Sequence, residues 1–168
     1  MTIEKKIANL FHLTDENWQK HSNPLSVWTR NLSLPLLILA FWSRIWMGWY
    51  CLIPIALAVF WIWINPRLFS APESTKNWAS RAVLGERVWM RRKEIPVPKH
   101  HQNFPNILSS VAVVGSVLVV FGVYHLHLWI TILGSVLIYA GKLWFLDRMV
   151  WLYMDMKKLN EEYESWNY

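Results

Sequence analysis

A chain of 168 residues, 54% apolar, with a formal net charge of +6 and one cysteine, is the size of a single domain. The lone Cys51 excludes an internal disulfide and a cysteine metal site. Soluble domains are themselves about 45–50% apolar, so the distribution decides: the long apolar runs fall almost entirely in 32–64 and 107–146, interrupted only by Arg44, His125, His127 and Lys142. Runs of that length read as transmembrane segments.

The N-terminus, residues 1–23, has no long apolar core and no small-residue cleavage site, so no cleavable signal peptide is expected. Ile3, Ile7, Leu10 and Phe11 fall on one face of an amphipathic helix. Thr14 is placed to cap a second short helix whose first turn carries Asp15 and Glu16, as the helix dipole favours.

The stretch 24–65 is too long for one crossing. A straight helix over 32–65 would measure roughly 50 Å at about 1.5 Å per residue, against a hydrocarbon core of about 30 Å. The chain is expected to turn within "SRIWMGWY" (43–50), where Gly48 is the permissive residue. Asn23 and Pro24 suit the start of the first arm, and Pro35 kinks it. A full-depth hairpin puts Arg44 in the far headgroup layer among Trp42, Trp46 and Trp49. A half-depth one would strand it near the bilayer centre at roughly 2.5–3.5 kcal/mol.

Residues 66–105 are too long for a simple loop. "NPRLFSAPE" holds two prolines, Pro66 and Pro72, and is expected to be irregular. The segment 74–93 reads as a basic amphipathic helix capped by Ser74 or Thr75, its apolar face carrying Trp78, Ala82 and Trp89. Such a helix is expected to lie in the membrane interface against anionic lipid.

A second hairpin, 106–147, is plainer. Helices over 107–124 and 128–146 are joined by "HLH" (125–127), and Lys142 can snorkel to the interface. "GSVLVVFG" (115–122) and "GSVLIYAG" (134–141) place glycines seven apart on one face of each helix, which suits close helix packing. The second of these helices is expected to continue into a helical tail, 148–168.

The fold class is therefore an all-α integral membrane protein: one membrane domain over 1–168, four transmembrane helices as two hairpins, and amphipathic interfacial helices on the cytoplasmic side. Fifteen of the seventeen Lys and Arg residues fall on the side holding both termini and the connector. That predicts a cell-membrane protein with N-in and C-in topology. This bias accounts for the basic charge, so no nucleic-acid partner is expected.

At "FHLTDENWQKHSNPLSVWTR" and "NPRLF…STKNWASRAVLGERVW" the chain resembles an uncharacterised prokaryotic family of short multi-pass membrane proteins, a domain of unknown function. The resemblance covers most of residues 10–100. It implies a bacterial or archaeal integral membrane protein and carries over no activity, cofactor or catalytic residue.

Two functions follow from the residues. In the first, a basic, Trp-rich cytoplasmic layer binds anionic lipid headgroups, a membrane-protein partner or a second copy of the chain. Its candidate residues are Arg30, Arg67, Trp78, Arg81 and Trp89, with Arg30 and Arg67 suited to clamping a phosphate. In the second, His12, His21, His100 and His101 form a metal site of an enzyme acting on a lipid-like substrate, with Glu86, Asp147 and Asp155 on the same side. Against it, no His-x-x-x-His or Glu-x-x-His spacing sets two ligands on one helical face, and adjacent His100 and His101 point apart in a helix or a strand.

Overall fold

The structure is a computed structural model that describes residues 15–168. The expected helix over Ile3–Phe11, the Thr14 cap and His12 lie outside the described residues. Among the described residues the chain is all helical, without a strand: α1 Asp15–His21, α2 Pro24–Trp42, α3 Arg44–Met47, α4 Leu52–Leu68, α5 Trp78–Met90, α6 Phe104–Tyr124, α7 Leu128–Met156 and α8 Glu161–Glu164. Two 3₁₀ turns, Gly48–Cys51 and Lys99–His101, complete it. Three helical stretches, Pro24–Asn65, Lys99–Tyr124 and Leu128–Met156, are long and apolar enough to cross a membrane. Packing divides the chain into two compact units. One comprises residues up to 28, 66–104 and 146–168; the other comprises 29–65 and 105–145.

In the second unit the apolar side chains face outward. Leu39, Val113, Val117, Val120 and Val136 are all exposed, an arrangement that water would penalise and hydrocarbon would not. Asn23 caps α2 as its sequence suggests, accepting from the Leu25 amide at 2.9 Å. The chain then breaks at Ser43, and Gly48 adopts φ +54°. Asn65 Nδ2 donates to Thr29 Oγ1 at 2.7 Å, so the two ends of this 42-residue stretch meet. The helix α4 runs through Pro66 to Leu68, past the expected stop. Pro66 falls in the last turn, where its missing N–H removes a single bond.

Arg44 does not sit unpartnered among tryptophans. Its Nη2 donates to the carbonyls of Val123, at 2.7 Å, and Tyr124, the last residues of α6. A guanidinium thus bonds carbonyls of a helix C-terminus, one of which also accepts from the Leu126 amide, where the helix dipole favours positive charge. Arg44→Ala is expected to destabilise the protein by about 2 kcal/mol, the scale of hydrogen bonds to a charged group. Arg44→Lys should recover part of that loss. Thermal unfolding in mild detergent reads both.

The glycines of α6 and α7 face one another. A Cβ on Gly115 would meet the Gly134 carbonyl oxygen at 2.7 Å, and one on Gly134 would meet the Gly115 carbonyl oxygen at the same distance. Gly122 abuts Thr131, and Gly141 abuts the Leu108 carbonyl. The repeated glycine spacing therefore serves contact within the chain.

The first unit has a conventional buried core. Trp18, Val27, Ala79 and Val83 cluster beside Trp78 and Met90, and Met149, Leu152, Tyr153 and Tyr163 are fully buried. Within it α5 presses on α7 so closely that a Cβ on Gly85 would lie 1.9 Å from the Met149 carbonyl oxygen. The helix α5 is shorter than the expected 74–93, and its N-cap is Asn77, whose side chain accepts from the Ser80 amide. Ser74 and Thr75 instead bond the Tyr168 carbonyl. Asn77 wins because it stands three residues before Ser80, whose amide it caps and whose hydroxyl also accepts from it.

Candidate functional site

The polar side chains that converge most closely belong to the first unit. The segment "PVPKHH" ends in the 3₁₀ turn Lys99–His101, closed by the His101 amide on the Pro98 carbonyl at 2.9 Å. Gln102 Nε2 fastens the turn to the Val97 carbonyl at 3.0 Å. Opposite stands Asp155, in the final turn of α7 and beyond its apolar portion. Nε2 of His101 lies 3.0 Å from Asp155 Oδ2, and Nε2 of His100 lies 3.3 Å from the same oxygen. The two imidazole centroids are 4.2 Å apart. Hydrogen bonding from His101, and secondarily from His100, holds the Asp155 carboxyl below the ordinary carboxylate range, against the burial that would raise it.

The expectation that adjacent histidines point apart is corrected here. It assumed a regular helix or strand, whereas the two residues end a 3₁₀ turn set up by Pro98. Their Cα atoms are about 3.8 Å apart, a separation that side chains as long as imidazole can close from neighbouring positions. His21 does not join them; it packs edge-on against Trp18 at 5.8 Å. His101 is buried, while His100 is 67% exposed.

The candidate basic and aromatic residues are more dispersed. Arg30 falls in the second unit and Arg67 in the first. Trp78 stacks on Trp28 at 5.8 Å and donates its indole N–H to Asp147, and Trp89 is buried beneath Arg92. With eight of its thirteen residues buried, α5 turns its apolar face into its own unit. Arg81 keeps a buried Nε with no hydrogen-bond partner.

Arginines on aromatic rings were not foreseen. Arg87 lies 4.1 Å above Trp166, Arg92 4.2 Å above Trp89, Arg91 5.7 Å from Tyr163, and Arg148 5.8 Å from Phe104. Only the Arg92–Trp89 pair, three residues apart on one helical face, had a signal in the sequence. Arg91 also pairs with Glu162 at 2.6 Å, and that hydrogen bond raises its pKa further.

A family model, the family of unknown function DUF6653, matches residues 2–166. The chain belongs to this family. No curated protein and no solved structure matches it. The family match spans the His100–His101 turn, Asp155 and all four aromatic-stacked arginines, so these features lie within the family domain and not in an appendage. Two chemistries are available to them. The stacked guanidinium groups are suited to planar oxyanions, and the imidazole–carboxylate cluster is suited to a metal ion.

A polar cavity of 310 Å³ in the same unit is lined by Gln19, Ser22, Thr75, Arg87, Glu162 and Trp166, among others. Arg87 there stands with the carboxylate of Glu162, which repels an anion.

Proposed function

We propose that the protein is an integral membrane protein of the cell membrane that binds anionic lipid headgroups through its first unit. In this reading the outward-facing second unit lies in the bilayer as four crossings, two pairs, with both termini cytoplasmic. The meeting of Asn65 with Thr29 supports the first pair, and the glycine contacts of α6 and α7 support the second. The excess of Lys and Arg on the side of the termini supports the orientation. The prokaryotic resemblance of residues 10–100 fits a bacterial or archaeal membrane.

The observation that carries lipid recognition is the Arg92 guanidinium laid on Trp89, together with Arg81, whose buried Nε has no acceptor among the described residues. Stacking fixes the plane of a guanidinium, and a fixed guanidinium is suited to a phosphate. A membrane-protein partner with an acidic surface would use the same groups.

Native mass spectrometry of detergent-purified protein mixed with phosphatidylglycerol or phosphatidylcholine tests this. Wild type is expected to retain phosphatidylglycerol several-fold better, and Arg81→Gln with Arg92→Gln to abolish the preference without loss of fold. Equal retention of the two lipids by wild type, or an undiminished preference in the double variant, overturns the proposal. The other reading, an enzyme with a four-histidine metal site, is supported among the described residues by the 100–101 pair with Asp155, while His21 lies against Trp18.

A further inference from the structure

We propose that His100, His101 and Asp155 bind one divalent first-row transition-metal ion of the zinc and cobalt type. This site does not depend on the lipid reading. The donor set is two imidazole nitrogens and one carboxylate oxygen, which borderline ions of this row accept. The three ligand atoms all lie within 4.8 Å of one another.

The spacing fits an ion. Two ligand atoms each about 2.1 Å from one metal stand roughly 3.4 Å apart at a tetrahedral angle and roughly 3.0 Å apart at a right angle. The two nitrogen–oxygen separations, 3.3 and 3.0 Å, already have those values. The remaining edge, between the imidazole nitrogens, is no longer than 4.8 Å, and His100 can adjust it because it is mostly exposed.

The frame around the ligands is fixed. His101 is buried at 4% exposure and Asp155 is 39% exposed, so one ligand is held rigidly and the open side can admit water as further ligands. The turn carrying the histidines is closed by the Pro98 carbonyl, and Asp155 is carried by a 29-residue helix. Binding requires each Nε2 to present its lone pair, so in each neutral ring the proton moves to Nδ1. Lys157 and Lys158 stand two and three residues after Asp155 and weaken cation binding relative to an acidic setting, so the ion should exchange with chelators.

The test uses the full chain in mild detergent, without a histidine tag, stripped by chelator. Cobalt(II) is titrated while its visible absorption is recorded, and zinc(II) is then added in competition. One cobalt per chain, displaced by zinc, is expected. His100→Ala and Asp155→Asn should each weaken binding at least ten-fold, whereas His21→Ala should leave it unchanged. His100 is exposed, so its alanine variant keeps the fold; circular dichroism checks this for every variant. Absence of a saturable cobalt spectrum, or equal affinity in wild type and His100→Ala, overturns the site. Phosphatidylglycerol preference in the same preparations is read separately, so either proposal can fail alone.

Discussion

Gly85→Ala is expected to be the most damaging single methyl in the first unit. The added carbon would lie 1.9 Å from the carbonyl oxygen of Met149, 2.5 Å from its carbonyl carbon and 2.9 Å from its Cα. All three atoms are backbone, so no side chain can rotate away. The helices α5 and α7 would have to separate by roughly 1 Å or more to restore ordinary contact. That opens a core holding Val83, Val88, Met149 and Leu152, all essentially buried. Overpacking typically costs about 1–3 kcal/mol, and a backbone clash belongs at or above the top of that range. Thermal unfolding followed by tryptophan fluorescence measures it. Gly48→Ala is the contrast: nothing lies within 4 Å of its Cβ, so only the strain of its backbone, φ 54° and ψ −130°, remains, about 1–3 kcal/mol. Equal loss in the two variants would refute the close-packing account.

The second large effect is expected at the crossing of α6 and α7. Gly134→Val would press against the Gly115 carbonyl oxygen and the Val119 amide nitrogen, both 2.7 Å from the first added carbon. Gly115→Val would press against Gly134 and Ile138 in the same way. In hydrocarbon, helices associate by packing and hydrogen bonds because burial of apolar surface gives no advantage. Lost contact there has no compensation, and each valine is expected to destabilise by about 2–3 kcal/mol. The two glycines share one contact, so the double substitution Gly115→Ala with Gly134→Ala should cost less than the sum of its parts. Strict additivity in denaturation midpoints would show that the glycines act independently.

Both glycine positions illustrate what was legible in the sequence. The seven-residue spacing of Gly115 with Gly122 and of Gly134 with Gly141 was visible as two faces, because helical periodicity is a property of one segment. Gly85 gave no such sign, since its partner Met149 lies 64 positions away on another helix. The α2 cap at Asn23 could be read from its neighbour Pro24, whereas Ser74 and Thr75 were equally plausible caps until the Tyr168 carbonyl claimed them. The same reasoning explains the histidines. Rules of one-face spacing presuppose regular helix, and "PVPKHH" is held in a 3₁₀ turn by its prolines. That local backbone turns two neighbours from diverging to converging on Asp155, itself visible only as one of several acids on the same side.

The bond from Arg44 to the end of α6 also bears on how the protein is made. Its acceptor carbonyl on Val123 lies 79 residues later in the chain. At about 5–20 residues per second, a ribosome needs roughly 4–16 s to synthesise the intervening segment. In the proposed membrane topology the guanidinium reaches the bilayer before the helix end that will accept it exists, and water or lipid phosphate would serve in its place. On that topology, insertion of the early helices is provisional until the later ones arrive, and a chain truncated before Val123 would leave Arg44 without these acceptors and exposed to membrane quality control.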